Sequence, residues 1–313
     1  MRVAVFGTGA VGGYFGGRLA QAGEDVVFIA RGERLRALRD HGLRVDSLKG
    51  DFALHPVQAT DDPASAGPVD VVLVGVKAGQ VPEAARAMRP LVRPETFVVP
   101  LQNGVEAPAQ LAAVLGAEHV VGGLCRIVSI FVELGYIRHA GLEPYVAFGE
   151  LDNRPSARTE RLRQAFARAG VTAEIPSDIQ VAMWAKFLFI ASFSGVGAVT
   201  RAPAGVLREL PETRRMLEQA MREILAVAQA RGIALPETTI SNTMTLIDGL
   251  PPDGTASMQR DLMAGRPSEL ESQNGAVVRL GQEAGVATPL HAFLYHSLLP
   301  LELRARGRVR FSL

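Results

Sequence analysis

Residues 2–31 read RVAVFGTGAVGGYFGGRLAQAGEDVVFIAR, two apolar runs flanking a glycine-rich turn and a helical pattern. Arg2 to Gly7 is a short apolar run that reads as a strand. Gly7-Thr8-Gly9-Ala10-Val11-Gly12 follows as G-x-G-x-x-G, Ala10 to Ala22 has a helical pattern, and Asp25 to Ala30 reads as a second strand. In this arrangement one glycine permits a tight turn, one lets a pyrophosphate approach the backbone, and one lets the helix pack closely on the strand. The N-terminus of the helix then offers N–H groups to the phosphates. The motif alone is a weak signal, but strand, motif, helix and second strand stand here in the required order. A dinucleotide site built from Gly7, Thr8, Gly9, Ala10, Val11 and Gly12 is therefore expected.

The end of the second strand selects the cofactor. An NAD site places Asp or Glu there, about 20 residues past the glycines, to hold the ribose hydroxyls. This chain has Phe28-Ile29-Ala30-Arg31. Arg31 accepts no hydrogen bond, but its planar guanidinium suits a 2′-phosphate, with Arg34 close by. The reading is NADP (NADPH), with Glu33 keeping NAD open.

Further along, Arg34 to His41 looks helical, and Val69 to Val76 (VDVVLVGV) is a continuous apolar run, as in a strand buried on both faces of a parallel sheet. Thr96 to Pro100 reads as a strand and Val105 to Leu115 as a helix. This alternation predicts an α/β, doubly wound Rossmann domain. From Val120 to Gly149 short strands dominate and are expected to extend the sheet with antiparallel pairs; a helix from Ala157 to Ala169 and a strand at Val171 to Ile175 complete a domain of residues 1–176. After Pro176-Ser177-Asp178, where Asp178 suits a helix cap, the patterns are helical: Ile179 to Val196, Glu212 to Arg231, Thr238 to Ile247, Glu271 to Ala284 and Pro289 to Arg304. An all-helical C-terminal domain of residues 177–313 is expected, for substrate binding and dimerisation, with Asp248 to Thr255 (DGLPPDGT) as a loop. Val181 to Val199 is apolar enough to suggest a membrane span, but Lys186, two glycines and its mid-chain place favour a buried core helix.

Composition narrows the function. The 313 residues are 48% hydrophobic and 21% charged, an ordinary globular balance. A net charge of +1 gives no bulk attraction to nucleic acid or an anionic membrane, and no basic stripe interleaved with aromatics is present. The lone Cys125 forms no internal disulfide, which fits a reducing, cytoplasmic setting. Met1 leads straight into the first strand, without a signal peptide pattern. The six histidines show no metal-ligand spacing, so no metal is expected. Among 33 basic residues only Lys49, Lys77 and Lys186 are lysines, which singles them out as places where a compact, titratable ammonium is needed.

The motifs together resemble the ketopantoate reductase (2-dehydropantoate 2-reductase) family over nearly the whole chain. The residues that carry the likeness are the Gly7 to Gly12 motif, Arg31, Val76-Lys77-Ala78-Gly79-Gln80, Gln102-Asn103-Gly104, Trp184-Ala185-Lys186, Ser257-Met258, Glu269 and Asn274-Gly275. The resemblance implies a Rossmann domain followed by a helical one, with the active site in the cleft between them. It implies NADPH-dependent reduction of 2-dehydropantoate to pantoate, a step of pantothenate and coenzyme A biosynthesis. By it, Lys186 is the general acid; its apolar setting, Met183 to Leu188, favours a lysine whose proton is labile near the operating pH. Glu269 is the acidic partner beside the lysine and the cofactor ribose; on sequence alone Glu271 would serve equally. Ser257 holds the substrate carboxylate, although by itself it reads equally well as a helix N-cap. Asn103 touches ribose and substrate, and Lys77 and Gln80 lie near the adenosine phosphate.

One part of the pattern departs. Family members that reduce ketopantoate carry asparagines after the lysine, at spacings that fall here on Ile190, Ser194 and Ala204. Ser194 keeps one hydrogen-bonding group at shorter reach; Ile190 and Ala204 keep none. A site that reads a hydroxyl draws much of its discrimination from such groups. Three readings follow: a ketopantoate reductase, a paralogous NADPH-dependent reductase of a more apolar 2-oxo acid, with Phe187, Phe189 and Phe193 as pocket or plain core, and a non-catalytic NADP-binding sensor. A sensor has no use for a proton donor, which weighs against the third. The apolar helical domain is compatible with a homodimer.

Overall fold

The computed structural model describes residues 1–312. The chain forms two compact units: Met1–Gln102 with Glu106–Ala182, and Asn103–Val105 with Met183 onward. The first contains, in order, β1 (Arg2–Phe6), α1 (Ala10–Gln21), β2 (Asp25–Ile29), α2 (Gly32–His41), β3 (Leu43–Ser47), β4 (Phe52–Leu54), β5 (Gln58–Thr60), α3 (Pro63–Ala66), β6 (Val71–Val74), α4 (Val81–Ala87), β7 (Phe97–Pro100), α5 (Ala107–Leu115), β8 (Val121–Arg126), β9 (Ser129–Glu133), β10 (Tyr136–His139), β11 (Tyr145–Glu150), α6 (Ala157–Arg168) and β12 (Thr172–Glu174).

Five parallel strands in the order β5-β2-β1-β6-β7 make the doubly wound sheet. Its central strand buries both faces. Val3 and Val5 join a core with Phe15, Phe28 and Phe166, while Ala4 and Phe6 join another with Val27, Val74, Met88 and Leu111. Two cores on opposite faces are why Val71–Val74 shows no polar alternation.

The strands after Val120 do not extend this sheet as expected. β8 pairs antiparallel with β11, but in a separate sheet of order β12-β11-β8. Its link to the five-stranded sheet is an isolated parallel bridge between Val98 and Val120. Pro100 ends β7 without an N–H, so a ladder has no donor there to continue on. β9 and β10 leave for a third sheet, β4-β3-β10-β9.

The helix α7 (Ile179–Thr200) begins in the first unit and runs into the second. Asp178 caps it, its Oδ1 accepting from the Val181 N–H at 3.0 Å. It is long and apolar enough to cross a membrane, but 67% of its most apolar window is buried within the protein. The second unit continues with α8 (Ala204–Glu209), α9 (Pro211–Ala230), α10 (Thr238–Asp248), α11 (Ser257–Met263), α12 (Asn274–Ala284) and α13 (Pro289–Ala305). The DGLPPDGT loop supports α8: Ala204 N–H donates to Gly254 O and Gly205 N–H to Pro252 O, both at 2.9 Å. The expected helix from Glu271 starts only at Asn274. Ser272 Oγ donates to Glu269 O at 3.1 Å, and Gln273 sits at φ −107°, ψ −91°, so local side-chain bonding holds this segment in turns.

A buried pair pins α13. Glu223 of α9 accepts from the Leu290 and His291 N–H groups at 2.9 and 3.0 Å, and its Oε2 lies 2.9 Å from His291 Nδ1. Nδ1 therefore carries the proton of a neutral ring. Complete burial pushes the His291 pKa down from 6.5, against the opposite pull of Glu223. For Glu223, burial favours protonation, but the bonds from His291 and Leu290 outweigh it and hold the carboxyl low. The unfolded chain therefore takes up a proton at His291 below pH 6.5 that the folded chain refuses, so stability declines as pH falls from there. The Glu223 contribution persists until lower pH, below the ordinary carboxyl value of 4.5. Thermal melts between pH 7.5 and 5 are expected to show a falling midpoint in the parent protein, reflecting a stability loss of up to about 1.4 kcal/mol per pH unit. His291→Gln should flatten that slope; a parent midpoint independent of pH over this range would refute the assignment.

Candidate active site

The first unit supplies a backbone cradle. Gly7 has φ +98°, and a Cβ there would lie 2.6 Å from Val76 Cγ1 and 2.7 Å from Val76 N. A Cβ on Gly12 would sit 2.2 Å from Gly7 O. At Gly75, after β6, a Cβ would meet Gly7 O at 2.8 Å and Gly12 Cα at 2.9 Å. Three segments thus touch backbone to backbone. Gly9 differs: its added Cβ would meet only Gly75 O, at 3.9 Å, so the side facing away is open. Gly9 caps α1 with no side-chain bond, and no acid occupies the first turn. The N–H groups of Ala10, Val11 and Gly12 have no side-chain cap to compete with an anion. Buried Thr8 braces the turn through Oγ1 to Ile29 O, at 3.4 Å. This open, uncapped turn fits the pyrophosphate of a dinucleotide.

Arg31 stands just beyond β2 as the N-cap of α2, in extended conformation. Its Nη1 lies 3.0 Å from Glu83 Oε1, both side chains about two-thirds exposed (63% and 64%). Such a pair is weak and readily exchanged for a stronger anion. Arg34 is turned elsewhere, its guanidinium 4.6 Å from the Phe131 ring centroid. Lys77 is exposed after β6. Gln80 uses its side-chain oxygen to accept from the Lys77 N–H at 3.3 Å, shaping the turn on which both sit.

The second unit holds the remaining candidates. Asn103 Nδ2 donates to Glu269 Oε2 at 3.3 Å across 166 positions of sequence. The structure also separates the two acids that sequence alone left equal. Glu271 is exposed, ion-paired with Arg279, and accepts from Tyr295 OH at 2.6 Å. Burial and that carboxylate push the Tyr295 pKa up to about 12. Glu269 instead is half-buried with its carboxylate at Asn103. Lys186 lies on α7, its Nζ buried. Ser257 is exposed in the first turn of α11, whose N-cap is Ala256, so the alternative reading of Ser257 as the cap does not hold. Ser194 is fully buried, and its Oγ meets no hydrogen-bond partner among the described residues. Ala204 is likewise fully buried, and Ile190 is half-buried. Phe189 and Phe193 stack at 5.6 Å between centroids. Among the described residues no three His, Cys, Asp or Glu side chains gather as a metal site would need.

Sequence reading missed Gly75 and Glu83, and it quoted Gln102 within a motif without giving it a role. Gly75 was hidden inside an apolar run; a glycine closing a buried strand was the available signal. Glu83 pairs with Arg31 from 52 positions away, which no local pattern reveals. Gln102 donates to Val74 O at 2.8 Å and Val76 O at 2.9 Å, tying the end of β6 to the end of β7. These contacts make Gly12 the most direct test of the cradle. Gly12→Ala is expected to weaken NADPH binding at least tenfold in a fluorescence titration; unchanged affinity in a folded variant would show that the cradle is not the cofactor site.

Comparison with known proteins bears on both units. The family model described as Ketopantoate reductase PanE/ApbA matches residues 3–153, and its C-terminal counterpart matches residues 178–302. The 2-dehydropantoate 2-reductase of Nostoc sp. is 34% identical over 310 residues, spanning 97% of this chain and 96% of its own. Among solved structures, a PanE/ApbA family ketopantoate reductase from Ralstonia eutropha superposes with a TM-score of 0.88 at 31% identity, covering 98% of this chain and 100% of that one. A 2-dehydropantoate 2-reductase from Geobacter metallireducens gives 0.89 at 31% identity, covering 96% and 99%. The chain belongs to the ketopantoate reductase family, a family of oxidoreductases.

Proposed function

We propose that this protein reduces 2-dehydropantoate to pantoate with NADPH. The observation that carries the reading is the hydrogen bond between Asn103 and Glu269, in the unit that also bears Lys186. When bound, the dinucleotide supplies the hydride that reaches the carbonyl carbon of the 2-oxo acid. The rest of the chemistry belongs to the side chains. Gly7 to Gly12 receive the pyrophosphate on backbone N–H groups. Arg31 exchanges Glu83 for the 2′-phosphate, a doubly charged partner that its fork matches better. Lys77 and Gln80 flank the adenosine phosphate. Lys186 holds a proton at Nζ and releases it to the oxygen on which charge develops, so that carbonyl becomes alcohol. Glu269 stabilises the protonated ammonium, and Asn103 orients Glu269 while offering its amide to ribose and substrate. Ser257, exposed at the start of α11, holds the substrate carboxylate together with the local N–H groups.

A second reading has its own support. Where ketopantoate-reducing relatives are expected to carry amides, this chain has Ile190, buried Ser194 and buried Ala204. Ala204 is fixed by its backbone bond to Gly254, so its position belongs to the packing of α8. With fewer groups to read a hydroxyl, a more apolar 2-oxo acid becomes a competing substrate.

Both readings require Lys186 as proton donor. Lys186→Ala is expected to lower kcat about 10²- to 10⁴-fold while the Kd for NADPH stays within twofold. Retained turnover would remove Lys186 from the reaction.

A further inference from the structure

Glu269 lies in a segment with no helix or strand to fix it, between α11 and α12. A catalytic carboxylate must be held to within about 0.5 Å of its productive position. The means of holding it lies in side chains that the reaction itself does not use.

Ser268 is buried, and Glu302 of α13 is buried with it, at 3% exposure each. Ser268 donates to Glu302 through its N–H, at 3.0 Å to Oε2, and through its hydroxyl, at 2.6 Å. Arg306, one turn on at the C-cap of α13, donates from Nε to Glu302 Oε1 at 2.6 Å and from Nη2 to Ser268 O at 3.1 Å. The Ser268 hydroxyl in turn accepts from the Leu270 N–H at 3.2 Å.

The consequence for Glu269 is geometric. The peptide before it is held by the Ser268 carbonyl on Arg306. The peptide after it is held by the Leu270 N–H on Ser268 Oγ. Its own carbonyl accepts from Gln273 N–H, at 3.0 Å, and from Ser272 Oγ, at 3.1 Å. Leu270 is fully buried in a cluster with Met258, Leu262 and Leu298, which stops the segment from sliding. Leu298 and Glu302 lie four residues apart on α13, so one helix face presents both the apolar and the ionic anchor. A buried carboxylate is costly unless several donors meet it, and an apolar contact would secure the fold as well. What the ionic anchor adds is direction.

We propose that Glu302 is a positioning residue: with Arg306 and through Ser268 it sets the backbone of Glu269, and hence the placement of the Glu269 carboxylate beside Asn103. The proposal rests on the reading of Glu269 as a group that acts in the reaction.

The test is a double-mutant cycle on the full-length protein, using NADPH and the 2-oxo acid that the parent turns over fastest. Ser268→Ala keeps the Glu302–Arg306 pair and the backbone N–H bond to Glu302, while removing the hydroxyl's bonds to Glu302 and Leu270. Glu302→Gln keeps the shape while placing an amide against Arg306. Each is expected to lower kcat about tenfold, with the KM for the 2-oxo acid and the Kd for NADPH within twofold of the parent. In a Glu269→Gln background neither should lower kcat by more than a further twofold. Loss of Ser268→Ala activity that multiplies fully with Glu269→Gln would overturn the proposal, as would parental kcat in both positioning variants. If Glu269→Gln itself keeps parental kcat, the role of Glu269 is wrong and the proposal falls with it. Should Glu302→Gln fail to fold, Ser268→Ala alone decides.

Discussion

The first unit depends on one contact: the backbone-to-backbone approach of Gly7, Gly12 and Gly75. A single methyl at any of the three would come within 3.0 Å of another segment's backbone. That contact sets the distance between β1, β6 and the start of α1, and so the depth of the cradle. Its effect reaches further through Gln102, which ties the ends of β6 and β7 together. The next residue, Asn103, packs with the second unit and places its amide on Glu269. The chain thus passes in a single step from the residue that fixes the sheet edge to one that serves the candidate site.

The second unit answers a different problem. Its helices bury polar side chains such as Gln259, Gln273 and Asn274, and two carboxylates, Glu223 and Glu302, are each only 4% exposed in the side chain. Both engage α13, one at its first turn and one near its last. Each meets several donors, which offsets the desolvation that a lone buried charge would suffer. Apolar packing alone leaves helices able to rotate and slide by small amounts. Two fixed carboxylates remove that freedom where α13 supports the Glu269 segment.

Much of the fold was legible because it follows from periodicity and from a motif whose meaning is mechanical. The strand–glycine–helix–strand opening gave the nucleotide-binding fold, and continuous apolar runs gave strands buried on both faces. The short strands β3, β4 and β5 were missed, since three to five residues carry too little periodicity to register. The separation of β8 and β11 into their own sheet was missed because pairing is decided by partners far along the chain. Around the candidate site, the place of Arg31 just past β2 was legible, and its pairing with Glu83 was not. Choosing Glu269 over Glu271 needed family resemblance, and the structure supplies the physical distinction: one acid meets Asn103, the other Arg279 and Tyr295. Glu302 left no local signal, as it lies 33 positions beyond Glu269 and acts through a serine.

The proposed roles of these groups stand or fall on whether the protein reduces a 2-oxo acid. The measurement that reaches it most directly is NADPH oxidation by the purified protein with 2-dehydropantoate, beside pyruvate, 2-oxoisovalerate and phenylpyruvate, with NADH as control. Saturable turnover with NADPH well above that with NADH is expected, with a kcat/KM highest for 2-dehydropantoate. A higher value for another acid would move the assignment to that substrate and explain Ile190, Ser194 and Ala204. No turnover of any 2-oxo acid by protein that binds NADPH tightly would contradict the proposed reaction.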